Sequence, residues 1–360
     1  MLTTATFRID ELPIPASFDD PHVKAFVEMV VVRNEIEAQT LGSDALACTP
    51  EELLPIYQAQ EFSPKRIFVA RVEDRIVGRA VISWSIAPGS KSSWVSAEVL
   101  ADHRHRGIGS ALFELVEKLA LDSGRPILQS EILHTCPSGG ERLPAPTGVG
   151  DLPLSDPGVQ FLLGRGYRLE QTERFSFLDL PLDPAELERA YRAAEQASGP
   201  QYRIQAWSGP TPPDRVDDMI TLRTRMSTDE PFAGLDFDEE PWTVARLASS
   251  DAAMEANGTS LTVAVEYLPT GQLVGFSDLV VPADRSRPAQ QSDTLVLAEH
   301  RGHRLGMLLK LANLRALNAV EPPPPLISTC NAEENRYMLS VNEAVGFRPV
   351  GKAGAWRKIN

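Results

Sequence analysis

The sequence predicts an α/β protein of the mixed-sheet (α+β) kind, built as two tandem copies of one domain, each a central mixed β-sheet flanked by helices. Three observations predict it. Arg104-His105-Arg106-Gly107-Ile108-Gly109 and Arg301-Gly302-His303-Arg304-Leu305-Gly306 each open an apolar helical pattern, and they lie 197 residues apart. Val77-Gly78 and Val274-Gly275 repeat the same offset of 197. A constant offset across separate landmarks marks a duplicated domain. Finally, the predicted order β-α-α-β-β-β-α-β-α-β occurs twice, and interleaved helices cover both faces of a sheet.

In the first half, Phe7 to Leu12 reads as a strand, followed by helices over 21–39 and 50–59. Segments 66–73 and 75–85 alternate around a tight Glu-Asp turn and form a hairpin. A strand over 92–100 leads through the Arg104 turn to a helix over 109–122, and 126–134 is the next strand. The Pro- and Gly-rich stretch 137–157 reads as a long loop. A short helix over 159–163 and a last strand over 167–180 close the domain, 1–180. Residues 181–200 form a linker with a charged helix over 185–197. The second domain, 201–360, repeats the pattern. It has a strand at 202–207, helices at 213–227 and 239–248, and a hairpin at 260–267 and 272–281. A strand at 293–298, a helix at 304–318, a strand at 326–330, a helix at 335–344 and strands over 347–359 complete it. The Gly166-Tyr167 and Gly346-Phe347 pairs are only 180 apart, so the first domain carries 17 extra residues, and the loop at 136–157 is their natural place.

Composition narrows the function. A formal net charge of −14 argues against nucleic-acid and anionic-membrane partners. Three cysteines without CxxC spacing point to a reducing, cytoplasmic setting and no structural metal. The start of the chain lacks the pattern of a signal peptide, and no apolar run is long enough to span a bilayer.

The repeated turn carries the chemistry. A helix N-terminus offers unpaired N–H groups and the positive end of its dipole, which together bind phosphate. Glycine admits close approach, and arginine adds a donor fork. The turn is not a P-loop, since no Lys-Ser/Thr follows, and it lacks the third glycine of the dinucleotide fingerprint. Arg/Gln-x-x-Gly-x-Gly/Ala at a strand-to-helix turn resembles the pyrophosphate motif of the GNAT N-acetyltransferase superfamily. Arg104, Gly107 and Gly109 match fully; Arg301 and Gly306 match, with Arg304 at the middle glycine. The duplicated layout resembles mycothiol synthase-like actinobacterial two-domain acetyltransferases. Asn331-Ala332-Glu333-Glu334-Asn335, Met338, Val341-Asn342 and Gly346-Phe347 are similar to that family's last strand-to-helix region.

The resemblance implies an acetyl-CoA-dependent N-acetyltransferase in which the amine of a small molecule attacks the thioester directly. It implies a strand N–H at Val99 or Val296 to polarise the carbonyl. Around the turns it implies contacts from Arg104, Arg106, Gly107, Ile108, Gly109 and Ser110, and from Arg301, His303, Arg304, Leu305, Gly306 and Met307. Asn335, at the helix start, would bond the pantetheine arm, and Asn331 joins it among the cofactor contacts. The catalytic positions depart from the family. Where a base is common stand Ser93 and Gln290, and where an acidic Tyr is common stand Leu162 and Asn342. Glu98, Asp293 and Tyr337 are the nearest substitutes, though strand alternation turns Glu98 and Asp293 to the opposite face unless a bulge intervenes. His134 reads as a satisfied structural histidine. The second domain is the expected catalytic half, because its tail matches the family and an acidic loop over 228–240 suits an ammonium group. The alternatives are a non-catalytic acyl-CoA-binding or regulatory protein and a transferase using a longer acyl-CoA.

Overall fold

The computed structural model describes residues 6–135, 139–229, 231–236 and 241–360. The chain forms two compact units. Residues 1–173, 232–238 and 351–360 make the first, and 174–231 with 239–350 make the second.

The first unit contains β1 (Arg8–Leu12), α1 (Val23–Leu41), α2 (Pro50–Gln58), β2 (Lys65–Val72), β3 (Arg75–Ser83) and β4 (Ser92–Val99). These are followed by α3 (Ile108–Asp122), β5 (Ile127–His134), β6 (Arg142–Pro144), β7 (Asp151–Pro153), α4 (Pro157–Gly164) and the start of β8 (Arg168–Asp179). The second unit contains the rest of β8, α5 (Pro184–Ser198), β9 (Tyr202–Ser208), α6 (Val216–Asp229), α7 (Val244–Ala256), β10 (Thr259–Tyr267) and β11 (Gln272–Val281). Then come β12 (Ala289–Val296), α8 (Leu305–Leu317), β13 (Leu326–Ala332), α9 (Arg336–Val345) and the first residues of β14 (Arg348–Ile359).

Local chemistry sets these boundaries. The Glu73-Asp74 turn joins β2 to β3 with both residues left-handed, at φ 49 and 66, as a two-residue hairpin of matching twist requires. Thr49 and Glu52 cap α2 reciprocally, with Pro50 in its first turn. Helix α1 stops at left-handed Gly42, whose N–H returns to the carbonyl of Ala38.

In the first unit the strand order is β1-β2-β3-β4-β5-β14. Its last member is the C-terminal strand: residues 352–359 pair antiparallel with β5, Lys352 opposite His134 and Ile359 opposite Ile127. Ala353, Ala355 and Trp356 are buried there. Trp356 belongs to the first apolar core, with Phe26, Leu112, Phe113 and Tyr167 among others. Sequence order keeps 351–360 with the second half; the burial of these side chains on β5 seats them in the first unit. In the second unit the strand order is β8-β13-β12-β11-β10-β9. Leu261, Val263, Val265, Leu308, Leu309 and Ile327 centre its core.

Other differences are local. The stretch read as one loop contains the small β6–β7 hairpin, Arg142 opposite Pro153. Strand β12 starts at Ala289 rather than Asp293, and α7 runs Val244–Ala256 rather than over 239–248. Residues 239 and 240 of that expected helix lie outside the described residues.

The shared offset has a steric cause. A Cβ on Gly78 would sit 2.8 Å from the Glu98 carbonyl oxygen, 3.2 Å from Val99 and 3.3 Å from Leu112. On Gly275 it would sit 2.8 Å from the Leu295 carbonyl oxygen, 3.3 Å from Val296 and 3.4 Å from Leu309. Each partner of Gly78 recurs 197 residues on. Both glycines let β3 or β11 press against its neighbouring strand and the helix after the turn.

Candidate active site

Each unit splays two parallel strands over its turn. Strands β4 and β5 pair only over Ser92–Trp94 and Ile127–Gln129, yet run on to Val99 and His134. Likewise β12 and β13 pair only at Ala289–Gln290 with Ile327–Ser328 before parting. Parting leaves strand edges unpaired, and alternate amides point to opposite edges. The Leu100 N–H is spent on the Val77 carbonyl of β3 at 3.0 Å, so the Val99 N–H points into the opening beside β5. Leu297 donates to Val274 at the same 3.0 Å, which turns the Val296 N–H toward β13.

The turns share one backbone. His105 and Gly302 are left-handed at φ 59 and 85, and Gly107 and Arg304 at φ 79 and 57. Each copy thus places glycine at one left-handed position and a bulky side chain at the other. The first helical bonds are Ala111 N–H to Gly107 and Leu308 N–H to Arg304. The N–H groups of Ile108, Gly109 and Ser110, and of Leu305, Gly306 and Met307, therefore have no acceptor within their helices. Ile108 and Leu305 are core side chains, so only their N–H groups are available to a ligand.

In the first unit these parts meet in a cavity of about 380 Å³. Val99, Arg104, Gly107, Gly109 and Ser110 line it, together with Glu37 and Glu98. Arg104 is steadied by its Nε–H to the Val99 carbonyl at 2.9 Å, and Arg106 donates to the Asp102 carbonyl at 2.7 Å. Glu98 accepts from Arg79 Nε at 2.7 Å, and Arg79 also donates to the Tyr57 hydroxyl at 3.0 Å. Burial works to lower the Arg79 pKa, but Glu98, Tyr57 and Glu37 together outweigh it and raise it. At the far wall, Asp156 caps α4 and accepts from Thr135 and His134. Burial pushes the Asp156 carboxyl up; bonds from His134 and Thr135 prevail and bring it to about 2. Trp356 donates to His134 Nε2 at 3.4 Å, so the Nδ1 proton faces Asp156 at 2.8 Å. His134 therefore works as a structural residue.

The second unit uses its polar groups differently. Arg301 donates to the Val296 carbonyl at 3.0 Å and to Asp229 at 2.9 Å. A bulge between Ser277 and Leu279 of β11 leaves Gln291 and Thr294 as their β12 partners, with Asp293 in the wider gap. Asp293 pairs with buried Arg223, which also pairs with Asp278. The exposed Tyr337 ring lies 3.4 Å from a Cβ built on Gly306, beside the turn. Asn335 accepts from the Met338 N–H as the cap of α9, and Asn331 accepts from the Asn342 amide at 2.7 Å. The His303 ring lies tilted against Tyr202, and Met307 packs on the core. Of the acidic loop, Asp229 is taken by Arg301 and Asp236 by Arg357 at 2.5 Å, within the second and first units respectively. Glu230 and 237–240 lie outside the described residues.

Glu37 is the residue the motif reading passes over. It projects from the apolar face of α1 one turn after Arg33, on the stripe marked by Phe26, Met29 and Val30. A carboxylate on a buried stripe was the available signal. Among the described residues, no helix is long and apolar enough to cross a membrane, and no group of three His, Cys, Asp or Glu is placed to hold a metal.

Comparison with known proteins agrees with this geometry. Residues 20–132 match the Acetyltransferase (GNAT) family. A solved tandem GNAT protein from the clavulanic acid biosynthesis pathway superimposes on 98% of this chain and 98% of its own, with TM-score 0.70 and 23% identity. A GCN5-related N-acetyltransferase from Sphaerobacter thermophilus covers 98% of this chain and 95% of its own at TM-score 0.62 and 14% identity. N-myristoyltransferase of Saccharomyces cerevisiae, solved with myristoyl-CoA and inhibitors, covers 99% of this chain and 80% of its own at TM-score 0.58 and 12% identity. No curated protein is matched. The chain is a tandem GNAT-fold protein whose first half carries a GNAT acetyltransferase-family domain. At these identities the structural likeness speaks to fold.

Proposed function

We propose that the chain is an acetyl-CoA-dependent N-acetyltransferase acting on the amine of a small molecule, with the thioester held in the first unit. The observation that carries this is one cavity lined at once by Val99, the Arg104–Gly107 turn and the start of α3. Acetyl-CoA supplies the activated acyl group. The Val99 N–H is placed to stabilise negative charge on its carbonyl oxygen. The amides of Ile108, Gly109 and Ser110, with Arg104 and Arg106, receive the diphosphate. Val296, Arg301, His303, Arg304, Leu305, Gly306, Met307, Asn331 and Asn335 would do the corresponding work in the second unit. There, Arg301 is committed to Asp229, which shifts the catalytic assignment to the first unit. Asp293 and Tyr337 then become a structural ion-pair partner and a turn neighbour.

Native mass spectrometry with acetyl-CoA tests this. A Cβ on Gly109 meets nothing closer than Val99 at 3.5 Å, so Gly109→Trp projects into the cavity without displacing backbone. One acetyl-CoA lost in Gly109→Trp, but retained in Gly306→Trp, supports the assignment. No binding to the wild type at micromolar ligand rejects it. The engagement of Glu98 with Arg79 favours a second reading, a non-catalytic acyl-CoA-binding protein. Binding without thiol release across amines would select that reading. Competition by propionyl- and succinyl-CoA reports the acyl-chain preference.

A further inference from the structure

We propose that Glu37 is the general base of the first unit, taking the proton from the acceptor amine as it attacks the thioester; this rests on the acyltransferase reading above. Three features of the site converge on this residue. Glu37 lines the same cavity as Val99 and Glu98, placing a carboxylate within the chamber that holds the oxyanion donor. One of its oxygens is bound by Arg33 at 2.8 Å, while the other, Oε2, is buried and has no hydrogen-bond partner. A buried carboxylate oxygen left without a donor is costly, and such groups call for a functional explanation. Glu98, the alternative on β4, already holds Arg79 through one of its oxygens.

The electrostatics agree with the geometry. Burial pushes the Glu37 carboxyl up, Arg33 opposes it, and the Glu98 charge adds to the rise, bringing it to about 7. A base with its pKa near the working pH combines a useful ionised fraction with real basicity. The groups around it are Arg33 on its own helix, Glu98 on β4, Arg79 on β3 and, through Arg79, Tyr57 on α2. Arg104, His105 and Asp156 complete the charged or titratable lining of the cavity.

In the step itself, the amine lone pair forms the N–C bond at the acyl carbon. The C–S bond breaks, and its electron pair leaves on sulfur as the CoA thiolate. The proton shed by nitrogen passes to the Glu37 carboxylate, directly or through one water, and from there to solvent.

The test measures kcat/KM against pH with acetyl-CoA and five primary amines: 1,3-diaminopropane, spermidine, glucosamine, lysine methyl ester and 2-phenylethylamine. With the best acceptor, the wild type is expected to rise with pH through an acid limb near 7. Glu37→Gln should lower kcat on the order of 10²-fold or more and abolish that limb, with acetyl-CoA still bound by native mass spectrometry. Glu37→Ala, which opens space, should be partly rescued by formate; a merely structural carboxylate would not be. Unchanged turnover and an intact limb in Glu37→Gln overturn the assignment alone. Should Glu37→Gln fail to fold, the absence of formate rescue in folded Glu37→Ala overturns it as well. If the wild type binds acetyl-CoA and none of the five amines releases thiol, the amine-acylation reading falls, and the base with it.

Discussion

A carboxyl whose pKa rises on folding binds its proton more tightly in the folded state, so ionising it costs stability. For Glu37 the rise is from 4.5 to about 7. At ~1.4 kcal/mol per pKa unit, that difference is worth roughly 3 kcal/mol. The stabilisation is fully present below pH 4.5 and is lost as pH climbs through about 7. Glu37→Gln keeps the shape, leaves a carbonyl oxygen for Arg33 and cannot ionise. The variant should therefore match the wild type near pH 5 and exceed it near pH 8, by up to roughly 3 kcal/mol. Urea unfolding of both proteins at pH steps from 5 to 9, followed by Trp fluorescence, measures the difference in the transition of the first unit. A gap that is flat with pH would refute the reasoning, because it would mean that Glu37 titrates alike in both states. A gap that opens toward low pH would be worse, since it would reverse the sign.

Three further outcomes are expected. Arg304 holds a left-handed conformation at φ 57, which costs an L-residue about 1–2 kcal/mol, part of it offset by the extra freedom of glycine in the unfolded chain. Arg304→Gly should then stabilise the second unit by about 0.5–1 kcal/mol in thermal unfolding while weakening any acetyl-CoA bound there. Gly78→Ala and Gly275→Ala each force a Cβ to 2.8 Å from a backbone oxygen, so each should destabilise its own unit by about 1–3 kcal/mol, and a large inequality would argue against equivalent packing. Asp156→Ala removes the cap of α4 and the acceptor of Thr135 and His134, costing about 2–4 kcal/mol. Because the Asp156 pKa falls from 3.8 to about 2 on folding, its share is present above pH 4 and lost as pH drops toward 2, which acid unfolding of the pair reads directly.

Much of this architecture was legible from residues alone, for identifiable reasons. The duplication showed because Gly78 and Gly275 tolerate no Cβ, so the same residue stands at the same offset. Strands β2 to β5 were placed closely because alternation and the Glu73-Asp74 turn are local signals. The seating of residues 351–360 on β5 was not legible: Trp356 reads as a core residue in any domain, and only long-range packing chooses which. The site divided along the same line. The turns and strand ends were readable because they act through backbone geometry that glycine and sequence order reveal. Glu98 and Asp293 were readable as acids, but their arginine partners, Arg79 and Arg223, lie 19 and 70 residues away. Glu37 sits 62 residues before Val99 and enters the cavity only through the packing of α1.

That division explains how the two copies diverged. In both units the strand amide and the helix-start amides stand in the same places, because they belong to the main chain and survive most substitutions. The side chains around them do not repeat. Phe113 lines the first cavity, and 197 residues on stands Lys310, fully buried, its ammonium driven down to about 7 by burial. Val116, in the apolar core of the first unit, becomes Asn313, whose buried amide oxygen and nitrogen both lack partners. Such groups destabilise an apolar helix face, so the helix after the second turn presents a different surface from the first. A backbone-built diphosphate cradle can thus persist in both copies while proton transfer, which depends on where one carboxylate is buried, resides in one. Turnover lost in first-unit variants and kept in second-unit variants is the expected outcome.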